Sequence, residues 1–207
     1  MGINKTRKVE YRYDRIASGY DKAEYLMEQM FASDLRQESV SKLAGNVLEV
    51  GVGTGKNLQF YNDSAEITGI DISAKMLAKA REKADNINRR IELIKMDAQD
   101  LQFDSNTFDS VLGTFIFCSI PDPIKAMQEI KRVAKPNAEI IFIEHVLSKI
   151  ETIALLENLI NPIVSSTFGF NVNRDTKANI KKAGLIIEQD EKLALFDVFR
   201  RFTCTIS

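Results

Sequence analysis

The sequence predicts an α/β fold: a doubly wound, mostly parallel seven-stranded sheet that ends in an antiparallel C-terminal hairpin and is preceded by helix. Three observations predict it. Between Val47 and His145, short apolar runs alternate with helical patterns, as parallel crossovers require. The first run, "VLEV", leads directly into a turn carrying Gly51, Gly53 and Gly55. Asp71 and Asp97 then close the second and third runs, on the sheet edge where open α/β folds hold ligands.

The elements follow in order. From Asp21 to Leu43 the residues Leu26, Met27, Met30, Phe31, Leu35 and Val40 recur at helical spacing among charges, which predicts one amphipathic helix packed on the sheet edge. Val47 to Val50 is the first strand and Lys56 to Tyr61 the start of a helix. Glu66 to Ile70 is the second strand, and Ser73 is placed to cap a helix running to about Asn86. Ile91 to Met96 and Phe108 to Thr114 are strands, Pro123 to Ala134 is a helix with proline in its first turn, and Ala138 to His145 is the fifth strand. After Ile150 a helical run reaches Leu159, where Pro162 is expected to interrupt it. No charge lies between Glu157 and Arg174. Thr176 to Ala183 reads as a helix stopped by Gly184, and "LIIEQ" and "FRRFTCTI" as the closing hairpin.

A chain of 207 residues supports one sizeable core. Lys+Arg (28) and Asp+Glu (29) nearly cancel, so bulk charge gives no case for nucleic acid. Cys118 and Cys204 form no CxxC, and His145 is the single histidine, so no metal site is expected. The expected compartment is a reducing cytoplasm, without signal peptide or transmembrane segment, and with peripheral membrane contact left open. "MGINKT" also fits the short myristoylation pattern of Gly2 with Thr6, which occurs often by chance. Oligomeric state is not legible.

The stretch "LEVGVGTGKN" narrows the nucleotide. A triphosphate loop needs glycine where Val50 stands and Ser or Thr where Asn57 stands. The dinucleotide spacing needs a glycine at Lys56. Glu49 would repel a diphosphate and attract a ligand carrying an ammonium group. S-adenosylmethionine is such a ligand. The glycines let backbone approach it, Asp71 can accept from ribose hydroxyls, and Asp97 can accept the adenine amine beside the Ala98 backbone. Asp71 would serve NAD equally well.

"LEVGVGTG", "GIDISAKMLAKAR", "KMDAQDL", "FDSVLGTF" and "MQEIKRVAKP" together resemble the successive motifs of class I, Rossmann-like SAM-dependent methyltransferases, over about Tyr11 to Val146. The resemblance implies S-adenosyl-L-methionine as cofactor, with S-adenosyl-L-homocysteine as product. It places Glu49, Gly51, Gly53 and Gly55 at the methionine end, Asp71, Ile72 and Met76 at ribose and adenine, Asp97 and Ala98 at the base. Asn57, Thr114 and Phe115 are implied further contacts. "YDRIASGYD" is similar to the lid of the ubiquinone/menaquinone and phospholipid methyltransferases, which implies that Tyr13 or Tyr20 closes over the cofactor. The usual "KPGG" turn is here "KPNA", Lys135 to Ala138. The implied organisation is one methyltransferase domain over 1–207: helical lid 1–43, cofactor core 44–146, acceptor-pocket segment and closing hairpin 147–207.

"CSI" at Cys118–Ile120, "EHV" at Glu144–Val146 and "NLQFY" resemble small thiol methyltransferases of the methyltransferase-like family, while phospholipid N-methyltransferases share the cofactor motifs. Both imply a small, apolar acceptor: a thiol or sulfide first, a phosphatidylethanolamine headgroup or a quinol as alternatives. The uncharged 158–173 segment is expected to line its pocket or only to cover the core. A thiol needs no base once ionised, whereas an amine or phenol gains from one, and His145 is the candidate. It reads equally as a strand-end packing residue. The rival classes are an NAD-dependent oxidoreductase and a non-catalytic SAM-binding module.

Overall fold

The computed structural model describes residues 5–27, 33–87, 91–167, 169–194 and 197–206. Seven strands form one sheet in the order β3-β2-β1-β4-β5-β7-β6. They are β1 Gly45–Val50, β2 Ala65–Asp71, β3 Ile91–Lys95, β4 Phe108–Thr114, β5 Ala134–His145, β6 Leu185–Ala194 and β7 Phe199–Ile206. The first five pair in parallel, and β7 runs antiparallel between β5 and β6. The predicted fold class is the observed one, closing hairpin included.

Strand pleat divides the core. Leu48, Val111, Ile140 and Phe142 pack with Met127 and Ile130 of α4 (Pro123–Val133) on one face. Val47, Leu112, Ile141 and Ile143 pack with Leu77 and Ala80 of α3 (Ala74–Ile87) on the other. Apolar residues on both faces are what a covered parallel sheet demands. Glu49 shares the pleat of Val47, so its carboxyl enters an apolar face.

The caps follow the sequence. Ser73 Oγ accepts from the Met76 N–H at 3.1 Å and starts α3. Asp122 accepts from the Lys125 N–H at 3.0 Å, one residue before Pro123. Gly184, at φ +80°, ends α6 (Thr176–Lys182).

Four elements differ from expectation. The single helix over 21–43 is replaced by α1 (Lys5–Met27) and α2 (Ser33–Val40). Its predicted apolar residues Met30 and Phe31, like Gly2, lie outside the described residues. The helix expected from Lys56 is only a 3-10 turn at Leu58–Phe60, because Tyr61 already has extended backbone and Asn57 turns its side chain inward. Pro162 sits inside α5 (Glu151–Thr167) rather than ending it. Asn158, whose carbonyl loses its partner there, is exposed, so water can satisfy it. Lys135 to Ala138 form no turn but a bulge early in β5: the register jumps from Phe108 opposite Ala134 to Ser110 opposite Glu139. Lys135 holds the bulge through Asp109 at 2.7 Å.

Candidate active site

Four loops, at the carboxyl ends of β1, β2, β3 and β4, meet under α1. After β1 the chain turns through Gly51, Gly53 and Gly55, all at positive φ (69°, 56° and 78°). Their surroundings differ. A Cβ at Gly51 would lie 2.3 Å from Ile116, and one at Gly55 3.0 Å from the backbone of Ala80 in α3. At Gly53 a Cβ would face open space, with Gly51 O at 3.9 Å the nearest atom.

The Gly53 N–H donates to Asp71 Oδ2 at 3.0 Å, and the Ser73 N–H to Asp71 Oδ1 at 2.8 Å. Each oxygen keeps a lone pair for a further donor. Burial pushes the Asp71 carboxyl up to about 6, opposed by the backbone donors of Ser73 and Gly53. At the next strand end, Asp97 Oδ1 accepts from the Gln99 N–H and from Gln99 Nε2, each at 2.9 Å. Gln99 Oε1 in turn accepts the Asp122 N–H at 3.0 Å, tying the third loop to the start of α4.

After β4, Phe115 adopts φ +56°, a costly backbone for a bulky side chain and one that clusters at functional sites. Its N–H donates to Ile143 O at 2.8 Å, its ring packs edge-on against Phe199, and the Arg36 guanidinium lies 5.2 Å above it. Glu144, fully buried on β5, holds the next residues: Oε1 accepts from the N–H groups of Ile116 at 2.9 Å and Phe117 at 3.3 Å.

Beneath these loops runs a buried polar chain. Asn57 Nδ2 donates to Glu49 Oε1 at 2.7 Å and to Thr114 Oγ1 at 3.1 Å, and Tyr61 OH donates to Glu49 Oε2 at 2.9 Å. Arg36 Nη1 donates to Asn57 Oδ1 and to Thr114 Oγ1, both at 3.0 Å. Burial pushes Glu49 up to about 7, against its bonds from Asn57 and Tyr61. Both its oxygens are thus engaged by protein.

The loops and α1 enclose a cavity of about 750 Å³, counting its open mouth. Of the residues singled out from sequence, Gly51, Gly53, Asp71, Ile72 and Met76 line it, as do Asp97, Ala98, Thr114 and Phe115. Tyr20 and Tyr13 of α1 cover it, their rings 6.3 Å apart. Glu49, Asn57 and Gly55 do not line it; they stand behind the wall. Nor does His145, which packs edge-on against Phe199 with Nε2 3.8 Å from Glu157. Burial pulls His145 below its ordinary pKa, opposed by a hydrogen bond to the Val172 backbone.

Sequence reading missed Thr6 and Val9 at the start of α1, Gln99, and the Ser119-Ile120-Pro121 wall. The signal for the first two was present: Thr6, Val9, Tyr13 and Tyr20 fall on one helical face.

S-adenosylmethionine needs acceptors for ribose hydroxyls and an exocyclic amine, an apolar slot for a flat base, and backbone without side chains beside it. Asp71 and Asp97, the apolar Ile72, Met76 and Ala98 between them, and the open flank of Gly53 fit those needs. The family model for the methyltransferase domain matches residues 48–142, which contain all of these residues. Residues 48–142 therefore match a methyltransferase domain, in a site whose acceptors and open glycine flank fit S-adenosyl-L-methionine as the cofactor. Among relatives, a phosphatidylethanolamine N-methyltransferase of Cereibacter sphaeroides is 41% identical over 108 residues, 51% of this chain and 53% of that protein. Thiol S-methyltransferase TMT1B of Rattus norvegicus is 28% identical over 172 residues, 81% of this chain and 70% of that one. The chain thus spans about half the length of the first. The crystal structure of a SAM-dependent methyltransferase from Aquifex aeolicus superposes over all of both chains with TM-score 0.65 at 18% identity, a likeness of fold.

Proposed function

We propose that the chain transfers a methyl group to a small apolar acceptor, a thiol first. Bound in this cavity, S-adenosylmethionine would supply a methyl carbon activated by its sulfonium. Asp71 would hold the ribose hydroxyls, Asp97 with the Ala98 backbone the adenine edge, and the Gly51–Gly53 backbone with Thr114 and Phe115 the amino-acid end. Glu49 and Asn57 act from behind, by fixing Thr114 and the glycine turn. Tyr13 and Tyr20 exclude water.

The single observation that carries the thiol reading is the acceptor-side wall. It is built of Val9, Tyr13, Phe115, Ile116, Ile120 and Pro121, with no lysine, histidine or glutamate among the described residues that line the cavity. Asp71 and Asp97 already accept from backbone. An acceptor that arrives as a nucleophile suits such a wall, and a thiol does so by ionising. On this reading His145 is a packing residue. The similarity to TMT1B supports a thiol, and the similarity to the Cereibacter protein supports a lipid headgroup as the second reading. Among the described residues no helix is long and apolar enough to cross a membrane.

The test is a labelled-methyl transfer screen over small thiols, phenols, a quinol and phosphatidylethanolamine vesicles. Thiol labelling is expected; a signal confined to the lipid would overturn the thiol assignment. Thermal stabilisation by NADH and not by S-adenosylhomocysteine would overturn the methyltransferase reading, and binding without transfer to any acceptor would leave a non-catalytic module.

A further inference from the structure

We propose that α5 and the outer face of α1 together form a docking surface for an anionic lipid bilayer. Leu155, Leu159 and Ile163 are 71%, 73% and 68% exposed, and Leu156 and Ile160 widen the same stripe. Spaced three and four apart, the five side chains share one face of α5, with only Thr152 and Ser166 among them. The opposite face is turned inward: Glu157 is buried and accepts the Ser148 N–H at 2.8 Å. Single exposed aliphatic residues need no explanation, but a contiguous uncharged stripe of five marks an interaction surface.

Charge on α1 says what covers it. The exposed Lys8, Tyr11, Arg15, Ser18, Lys22 and Tyr25 fall at three-and-four spacing along its outer face, and Arg15 stacks over Tyr11 at 5.7 Å. Three acids of α1, Asp14, Asp21 and Glu10, are turned the other way. Asp14 accepts from Ser73 and Lys75, Asp21 from Thr54 and Lys83, and Glu10 pairs with Lys95. Among the described side chains the outer face is therefore cationic and aromatic, in a protein whose net charge is only −1. Amphipathic tyrosines and basic residues beside an aliphatic stripe match the headgroup layer of an anionic bilayer, with acyl chains below. A second copy of the same cationic face would repel it.

The two faces are neighbours. Arg12 of α1 donates to Ser166 O of α5 at 3.4 Å, and a Cβ at Gly169 would overlap the Arg12 guanidinium. The inner face of the same α1 covers the cavity through Val9, Tyr13 and Tyr20. Docking would thus bring the cavity mouth to the bilayer surface, where apolar acceptors concentrate. The proposal holds whichever acceptor is methylated, since its readout is binding.

The test is sedimentation of the full chain with phosphatidylcholine vesicles, with and without phosphatidylglycerol. Binding to the anionic vesicles is expected, weakening as salt rises. Leu159→Asp with Ile163→Asp should lower the partition at least about tenfold. Arg15→Glu with Lys22→Glu should abolish the preference for phosphatidylglycerol. All four residues are exposed, so thermal stabilisation by S-adenosylhomocysteine should persist in both variants, which separates lost docking from lost folding. Absence of vesicle binding by the wild-type chain, or binding indifferent to both variant pairs, would overturn the proposal. So would a lipid-free dimer that the α5 variant converts to monomer, for then a second copy is the occupant.

Discussion

Ser73 donates its hydroxyl to Asp14 at 2.6 Å while the same oxygen caps α3 through the Met76 N–H, so one side chain joins the covering helix to the loop that follows Asp71. Asp71 accepts the Ser73 N–H on the other side, completing a path from α1 to the cavity floor. Closure of α1 and the geometry of Asp71 are therefore coupled. Asp14→Ala should weaken S-adenosylhomocysteine binding by about tenfold, the scale of one hydrogen bond to a charged group. Asp14→Asn, which keeps an acceptor, should recover most of it. Titration calorimetry on both variants checks this; equal affinities for wild type and Asp14→Ala would show that the contact does not serve the cavity.

The glycines should separate by phenotype. Gly55→Ala sets a methyl against Ala80 and Leu58 with φ at +78°, so the loss should appear as stability, on the order of 2–3 kcal/mol, with cofactor affinity little changed per folded molecule. Gly53→Ala meets only open space, so its folding cost should be about 1 kcal/mol, the left-handed backbone alone. Its methyl would project toward the cavity, and cofactor binding should fall instead. Melting curves with and without S-adenosylhomocysteine distinguish the two patterns.

Much of this was legible beforehand, for physical reasons. Strands buried on both faces are continuous apolar runs, so β1, β2 and β4 were placed within a residue or two. Acids at strand ends have few roles in such a sheet, so Asp71 and Asp97 could be singled out. The helical lid was implied by resemblance over 1–43, but hydrophobic periodicity did not reveal the first four turns of α1, because their inward face is Thr6, Val9, Tyr13 and Tyr20 rather than aliphatic, and Asp14 points inward to a specific donor. The place of Glu49 was also hidden. A carboxylate beside a glycine turn reads as a ligand contact, and nothing local in sequence announces that Asn57 and Tyr61 will claim both its oxygens.

Glu144 sets a pH dependence. Burial pushes its carboxyl from the usual 4.5 up to about 8, so the folded protein favours the protonated form. A raised folded pKa contributes stability that is complete below the unfolded value and is lost as pH rises through the folded one. Stability from Glu144 should thus decline between about 4.5 and about 8, with Glu49 (up to about 7) adding in the same direction. Glu144→Gln keeps an acceptor for Ile116 and Phe117 and removes the titration, so its melting temperature should fall less over that window than the wild type's. Glu144→Ala should release the strained Phe115 segment and lower both stability and turnover. A parallel pH profile for wild type and Glu144→Gln would refute the assignment.

His145 offers the sharpest test of the chemistry. If the acceptor arrives ionised, the enzyme needs no base, and His145→Asn should keep turnover within about fivefold, below the hundredfold or more that loss of a general base costs. The variant should still melt earlier, because the ring's edge-on contact with Phe199 is lost. The pH–rate profile should rise with the acceptor: shifting from an ordinary thiol to a more acidic one should move the midpoint down by the difference in their pKa values, in wild type and variant alike. A midpoint that stays fixed across thiols and disappears in His145→Asn would instead make the histidine the base, reached by movement of Phe199, whose ring packs against both His145 and the cavity-lining Phe115.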